Sequence, residues 1–309
     1  MSFAHLRNAE IFCDVVTHHG FSRAAEVRQI SQPAVSQAVQ QLEEHLGIKL
    51  IDRSRRPPEL TAAGAIYFER VRRWLDEYRD IEDAIQKFKG RVAGRVRIVC
   101  IYSVGLLQMA AYVNRFKELH PDVEIKVEYS HPEDVYARVL RDEAEMGIVS
   151  FPRDGGDISC IDWVEQPMVL VVSPDHELAQ QRSVSVTQLM SRQFVGFTSD
   201  LTIRRVTDRI LRNSHVTVQV VHQFDNVETV KRAVEIGAGI SILPEPTLRR
   251  EIEIGSLKAI PFSDLDFKRP LGIIHKRNKN LSTAAEKFVE LLKYVPEPEK
   301  AKPREYDED

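Results

Sequence analysis

Residues 31–46 read SQPAVSQAVQQLEEHL. Val35, Val39, Leu42 and Leu46 recur at intervals of 4, 3 and 4, the spacing of an amphipathic helix that turns these side chains inward. Ser31 stands where a capping hydroxyl belongs, and Pro33 suits the first helical turn, where a missing N–H costs nothing. The opposite face offers Gln32, Ser36, Gln37, Gln40 and Gln41 and carries no charge before Glu43. A face that is only solvated usually carries Lys and Glu. Neutral amides and hydroxyls are the donors and acceptors that base edges engage in a DNA major groove.

Upstream, Leu6, Ile11, Phe12, Val15 and Val16 fit one helix stopped near Gly20. Ser22 is a natural N-cap for a short helix carrying Ala24, Ala25 and Val27. Two short helices, a tight turn and a polar-faced second helix make a helix-turn-helix. Downstream, Gly47 closes the helix, residues 48–51 read as a short strand, and RSRRPP at 53–58 precedes Leu60. In that position the Pro-stiffened basic loop is a wing. Its Arg53, Arg55 and Arg56 are placed to meet phosphates or the minor groove.

FSRAA at 21–25, SQPAVS at 31–36, LEEHLG at 42–47, LIDR at 50–53 and LTAAG at 60–64 together resemble the winged helix-turn-helix of LysR-type transcriptional regulators. The resemblance implies that Gln32, Pro33, Ser36 and Gln37 face the bases. It also implies that Ser22, Arg23, Ser31, Arg53, Arg55 and Arg56 hold the backbone of double-stranded DNA. Two positions depart from the family pattern. Arg28 stands where Leu is usual, with Val27 beside it as a candidate apolar replacement, and Ile51 stands where Phe is usual.

Thr61 can cap a helix that runs to about residue 89, with no proline and no glycine after Gly64. Tyr67, Val71, Trp74, Tyr78, Ile81, Ile85 and Phe88 recur at intervals of 4, 3, 4, 3, 4 and 3, a coiled-coil seam. At ~1.5 Å per residue this helix is about 40 Å long, more than a 60-residue module covers, so a second copy is expected against it. The resemblance agrees that such helices pair, and it implies a homodimer and a homotetramer. Beyond the seam, Lys87, Lys89, Arg91, Arg95 and Arg97, interspersed with Gly90 and Gly94, suggest a basic hinge.

From residue 96 strands alternate with helices: strands at 96–101, 124–129 and 146–150 enclose helices ending near 119 and 141. That order implies an open parallel sheet. A second series follows, with strands at 168–173, 194–197, 216–224 and 240–243 and helices at 201–213 and 227–236. A strand at 271–275 and a helix at 282–294 are expected to return to the first half. Two such half-domains form a clamshell with a ligand cleft at the strand ends. The region is similar to the family's effector domain, itself like periplasmic solute-binding proteins. EIGAGISILP at 235–244 carries that likeness. As a dinucleotide fingerprint the same string fails, because it lacks a third glycine and follows a helix.

The expected architecture is therefore α/β overall: a winged helix-turn-helix over residues 1–61, a linker helix over 62–90 and an effector domain over 91–295. Within the last, one subdomain takes about 95–165 and 266–295 and the other about 166–265. Ser103 should cap the helix after the first strand, and Ser150, Thr198, Ser199 and Thr202 sit at strand ends. Asp225 and Glu228 read as a capping box around Asn226. Converging hydroxyls favour a small anionic or polar effector. The family match bears most directly on Ser103, Thr198 and Thr202, with Ser150 and Asn226 beside them.

The 309 residues are 43% hydrophobic and 29% charged, with a net charge of −3, which excludes collagen-like and wholly disordered chains. That balance lies in residues 296–309, an acidic segment expected to be disordered, with six acids against three bases. The first 20 residues do not read as a signal peptide, and no apolar run approaches membrane-spanning length. Cys13, Cys100 and Cys160 fit neither a disulfide framework nor a metal motif, so a reduced, cytoplasmic protein with no cofactor is expected. No catalytic motif is present. The leading expectation is an effector-controlled transcriptional regulator and no enzyme, with RNA polymerase a candidate partner and no membrane contact. The alternatives are a solute-binding protein or a redox-responsive regulator using Cys100.

Overall fold

The computed structural model describes residues 3–55, 57–87 and 92–294. Arg56, Phe88, the hinge residues Lys89, Gly90 and Arg91, and the acidic segment 296–309 lie outside the described residues. The chain forms two compact units, Met1–Lys89 and Gly90–Asp309.

The first unit packs α1 (Phe3–Thr17), α2 (Phe21–Arg28) and α3 (Gln32–Leu46) with a hairpin of β1 (Ile51–Asp52) and β2 (Glu59–Leu60), followed by α4 (Ala62–Lys87). Phe12, Ala24, Val35, Val39, Leu42 and Leu50 fill its core. Ser31 caps α3, its Oγ accepting from the Ala34 amide at 3.3 Å, and Gly47 ends the helix at φ 68°, in the left-handed region glycine favours. Because the chain turns away there, Leu46 is exposed and Leu50 takes the core place expected of it. The strand expected at 48–51 is confined to β1. Ser22 does not cap α2: Gly20 stands at that position and Ser22 lies inside the helix, exposed.

Arg28 is accommodated by charge instead of by an apolar neighbour. Glu10 and Asp14, four residues apart on one face of α1, both receive its guanidinium, the former at 3.1 Å, while Val27 is 58% exposed. Thr61 Oγ1 accepts from the Gly64 amide at 3.0 Å and so begins α4. Gly64 permits that helix to approach β1: a Cβ there would fall 1.9 Å from the Leu50 carbonyl oxygen.

The stripe along α4 serves two purposes. Tyr67 and Val71, expected in a dimer seam, pack with Phe68 and Leu75 on the core of their own unit; the Tyr67 ring meets Phe12 edge-on at 5.5 Å. The helix then outruns that core. Trp74, Ile81 and Ile85 are 39%, 59% and 55% exposed, and Tyr78 leans on Trp74 at 6.2 Å.

In the second unit, β3 (Gly94–Ile101), β4 (Val123–Ser130) and β5 (Met146–Ser150) are parallel. Connecting them are α5 (Tyr102–Val104), a π turn at Gly105–Met109, α6 (Ala110–Leu119) and α7 (Pro132–Leu140). The sheet is not parallel throughout. The long strand β6 (Ile158–Val172) begins ten residues before the expected start and runs antiparallel to the returning strand near the chain's end.

β7 (Gln193–Phe197), α8 (Thr202–Asn213), β8 (Gln219–Phe224), α9 (Val227–Glu235), β9 (Ser241–Pro244), α10 (Arg249–Glu253) and β10 (Lys258–Ile260) build the second half. β11 (Lys268–Lys276) and α11 (Thr283–Tyr294) then return to the first. Alternating polar residues over 158–165 hid the first part of β6, since that part is half-exposed.

Two separate apolar cores define two subdomains, one around Ile98, Phe116, Ile148 and Phe288, the other around Leu170, Val195, Val230 and Ile242. β6 belongs to both: it pairs with β11 over 158–167 and with β9 over 168–171. The chain crosses between subdomains here and again just before β11.

Candidate DNA interface and effector cleft

The outer face of α3 is neutral and open. Gln32, Pro33, Gln37 and Gln40 are exposed and Ser36 is half-buried, while Gln41 is drawn away to accept from the buried Asn8 amide at 3.2 Å. Arg53 stands beside this face. Its guanidinium donates to Ser36 Oγ at 3.1 Å and lies 5.1 Å from the centre of the Phe21 ring, a cation–π distance. Arg23 is exposed near the start of α2. In the hairpin, Arg55 reaches Glu59 at 2.7 Å and Asp52 at 3.9 Å, so any phosphate it grips must displace an acid.

A residue missed from sequence organises this surface. Glu43 is buried on α3, and its Oε1 accepts from the amides of Leu50 at 2.8 Å and Ile51 at 3.1 Å. Its other oxygen receives Lys49 at 3.0 Å and lies 3.6 Å from Arg53. Burial alone would raise this carboxyl; the two amides and Lys49 outweigh it and hold the group below the usual carboxylate range. One carboxylate thus fixes the hairpin and Arg53 against α3.

The effector unit contains a buried cation where its two subdomains join. Arg269 on β11 is 2% exposed and lies opposite Gln166 of β6, the crossing strand. Its Nε donates to Gln166 Oε1 at 3.1 Å, Nη2 donates to the same oxygen, and Nη1 donates to Ser103 Oγ at 2.9 Å. Gln166 in turn donates to Gln108 Oε1 at 3.2 Å. No carboxylate among the described residues pairs with Arg269. Burial pushes it down to about 9, so it is still a cation at neutral pH. Of its five N–H donors, three are engaged by described residues.

The sequence-predicted residues gather around this centre in part. Ser103 is not a helix cap, since α5 begins from Ile101 without a side-chain bond; its hydroxyl serves Arg269 instead. α5 packs against α9 from the other subdomain. Asn226, and not Asp225, caps α9, accepting from the Thr229 amide at 2.9 Å, while Glu228 pairs with Lys231 at 2.9 Å and closes no capping box. Ser150 ends β5, which runs alongside β3 with Ile148 opposite Cys100.

In the other subdomain the Thr198 amide donates to the carbonyl of Phe224, two residues ahead of Asn226, at 3.0 Å. Among the described residues the Thr198 hydroxyl has no partner in good hydrogen-bond geometry, though it lies near enough to lower the Asp200 carboxylate. Thr202 opens α8 and accepts from Arg205 at 2.9 Å. His131 Nε2 and Asp200 meet at 3.1 Å between the two subdomains.

The signal for Arg269 was a charged residue just ahead of an apolar strand; beginning that strand at 271 left it outside. Cys100 is fully buried, and burial drives its thiol far above the reactive range, while Cys160 is pushed up to about 11. Burial therefore disfavours the thiolate at both positions.

Glu43→Gln tests the preorganisation of Arg53. Removing a negative charge should by Coulomb attraction alone tighten DNA binding; a positioning role predicts about tenfold weaker binding, with unchanged circular dichroism. Fluorescence anisotropy on a duplex decides by its sign.

Residues 6–65 match the family model of bacterial regulatory helix-turn-helix proteins of the lysR family, and residues 89–296 match the LysR substrate binding domain. A RuBisCO operon transcriptional regulator from Allochromatium vinosum is 27% identical over 287 residues, covering 93% of this chain and 95% of its own. The regulatory domain of Synechocystis PCC6803 CcmR, solved in complex with 2-PG, has a TM-score of 0.60 at 24% identity over 65% of this chain and 97% of its own. Full-length CbnR complexed with target DNA has a TM-score of 0.66 at 18% identity over 94% and 99%. Both halves of the fold are matched in order, and the chain belongs to the LysR-type transcriptional regulators, DNA-binding proteins whose C-terminal domain takes an effector.

Proposed function

We propose that this regulator answers to a small anionic metabolite, received in the cleft by Arg269 and Ser103 with the N-terminus of α9 opposite. The observation that carries the reading is a guanidinium 2% exposed that has, among the described residues, only amide and hydroxyl oxygens for partners. A buried charge without a counter-charge is costly, and an anion supplies what is missing. The 2-PG complex of CcmR supports the reading. Thr198, Thr202, Ser150 and Asn226 are the further polar groups assigned to the effector. The protein acts by binding and turns nothing over.

DNA recognition is assigned to the open face of α3, with Gln32, Pro33, Ser36 and Gln37 toward the bases. Ser22, Arg23, Ser31, Arg53, Arg55 and Arg56 hold the backbone. CbnR bound to its target DNA supports that assignment. Two copies pair through the part of α4 that outruns its own core, at Trp74, Tyr78, Ile81 and Ile85, and dimers associate as tetramers. Effector binding changes the subdomain angle and, through it, the state that DNA and RNA polymerase meet. No described helix is long and apolar enough to cross a membrane.

Arg269→Met removes the cation at similar volume. DNA affinity should stay unchanged, while the change in anisotropy caused by 2-PG or inorganic phosphate disappears; a variant that responds like the unmodified protein overturns the assignment. Ile81→Asp with Ile85→Asp should release monomers in sedimentation velocity, and an unchanged sedimentation coefficient would rule out pairing there. Gln32→Ala should narrow the affinity gap between target and random duplex, whereas Arg55→Ala should weaken both about equally and lower the salt slope by roughly one.

A further inference from the structure

Lys49 lies in the segment between α3 and β1, with its side chain 69% exposed. Its backbone is tied down: Thr61 Oγ1 donates to the Lys49 carbonyl at 2.8 Å, and the Thr61 amide donates to the Leu50 carbonyl at 3.0 Å. The ammonium donates to Glu43 Oε2 at 3.0 Å. That same oxygen lies 3.6 Å from Arg53 Nη2, beyond hydrogen-bonding range, while Arg53 Nη1 is engaged by Ser36 Oγ at 3.1 Å. The other carboxylate oxygen is taken by the amides of Leu50 and Ile51. Two cations therefore compete for one oxygen of a carboxylate whose side chain is 1% exposed, and the lysine is the nearer.

We propose that Lys49 is a positioning residue for DNA binding, which rests on the assignment of Arg53 to the DNA backbone: by neutralising Glu43, Lys49 keeps the charge of Arg53 free for a phosphate. A carboxylate taken out of water demands a counter-charge. With Lys49 in place that demand is met, and the guanidinium stays beside Ser36 and the Phe21 ring. Without it, Arg53 is the remaining cation at ion-pair distance among the described residues, and it closes onto Glu43. Arg53 then has to break that pair before it can meet a phosphate. Because Glu43 is buried, salt screens this competition less than it screens a surface contact with DNA. Glu43 thus sets where Arg53 stands, and Lys49 sets how strongly it is held there. Lys49 itself touches no DNA in this arrangement.

The test titrates the full-length protein onto a duplex of random sequence across a salt series, because a phosphate contact acts on every sequence alike. Lys49→Met should weaken binding by about tenfold and lower the salt slope by roughly one. Lys49→Arg, which keeps a cation against Glu43, should bind like the unmodified protein. In an Arg53→Met background, adding Lys49→Met should change affinity by less than about twofold, since both substitutions then remove the same contact. Melting temperatures of all variants exclude unfolding, and Lys49→Gln repeats the measurement should methionine disturb the fold.

Losses that add in the double variant, with the salt slope lowered by roughly two, would mean that Lys49 grips a phosphate of its own, and would overturn the proposal. A Lys49→Arg variant as weak as Lys49→Met would overturn it as well. Unchanged binding in Lys49→Met beside weakened binding in Arg53→Met sinks the role of Lys49 alone. Unchanged binding in Arg53→Met sinks the assignment of Arg53 to the backbone, and the role of Lys49 with it.

Discussion

The guanidinium of Arg269 is the constraint around which the effector unit is arranged. Transferring an ion out of water is costly unless it is paired and hydrogen-bonded, and here the partners among the described residues are one amide oxygen and one hydroxyl. The charge persists at neutral pH although burial pushes it down to about 9. Its location gives it consequence. Arg269 and Gln166 sit opposite each other on β11 and β6, the strands by which the subdomains communicate. In the proposed function, a ligand anion that completes the ion pair would stabilise one subdomain arrangement over another, which is the differential affinity that any effector-driven shift requires.

The DNA-binding unit handles a buried charge in the opposite manner. Glu43 is met by two backbone amides and Lys49, with Arg53 close by. Such a site is satisfied in the free protein and acts as a rigid fixture, holding the hairpin at a set angle to α3. Arg28 with Glu10 and Asp14 does the same between α1 and α2. Buried charge is thus met by opposite charge in one unit, and in the other it is met, among the described residues, by neutral partners.

Much of the fold was legible because it rests on periodicity. The 4-3-4 spacing of Val35, Val39 and Leu42 placed α3 and its open face, and capping chemistry gave Ser31, Gly47 and Thr61. What escaped depended on tertiary partners. Tyr67 and Val71 belong to the same helical stripe as Ile81 and Ile85, and only the position of Phe12 decides which of them face their own core. Asp225 and Asn226 are both good caps, and backbone geometry chose the second. Among the cleft residues, Ser103 was found by its place after a strand, yet its partner lies 166 positions away. Arg269 escaped because the strand was begun at its first apolar run, at 271, and no local pattern reports that an arginine just ahead of it is buried.

The most direct measurement is the guanidinium resonance of Arg269 in the full-length protein, assigned by its loss in Arg269→Lys and followed as 2-PG is added. Direct contact with an anion predicts a displaced Nε–H signal and slowed rotation of the terminal nitrogens, saturating with the same midpoint as the DNA response. An Arg269 signal that stays in place while the DNA response saturates would mean that the effector is held elsewhere.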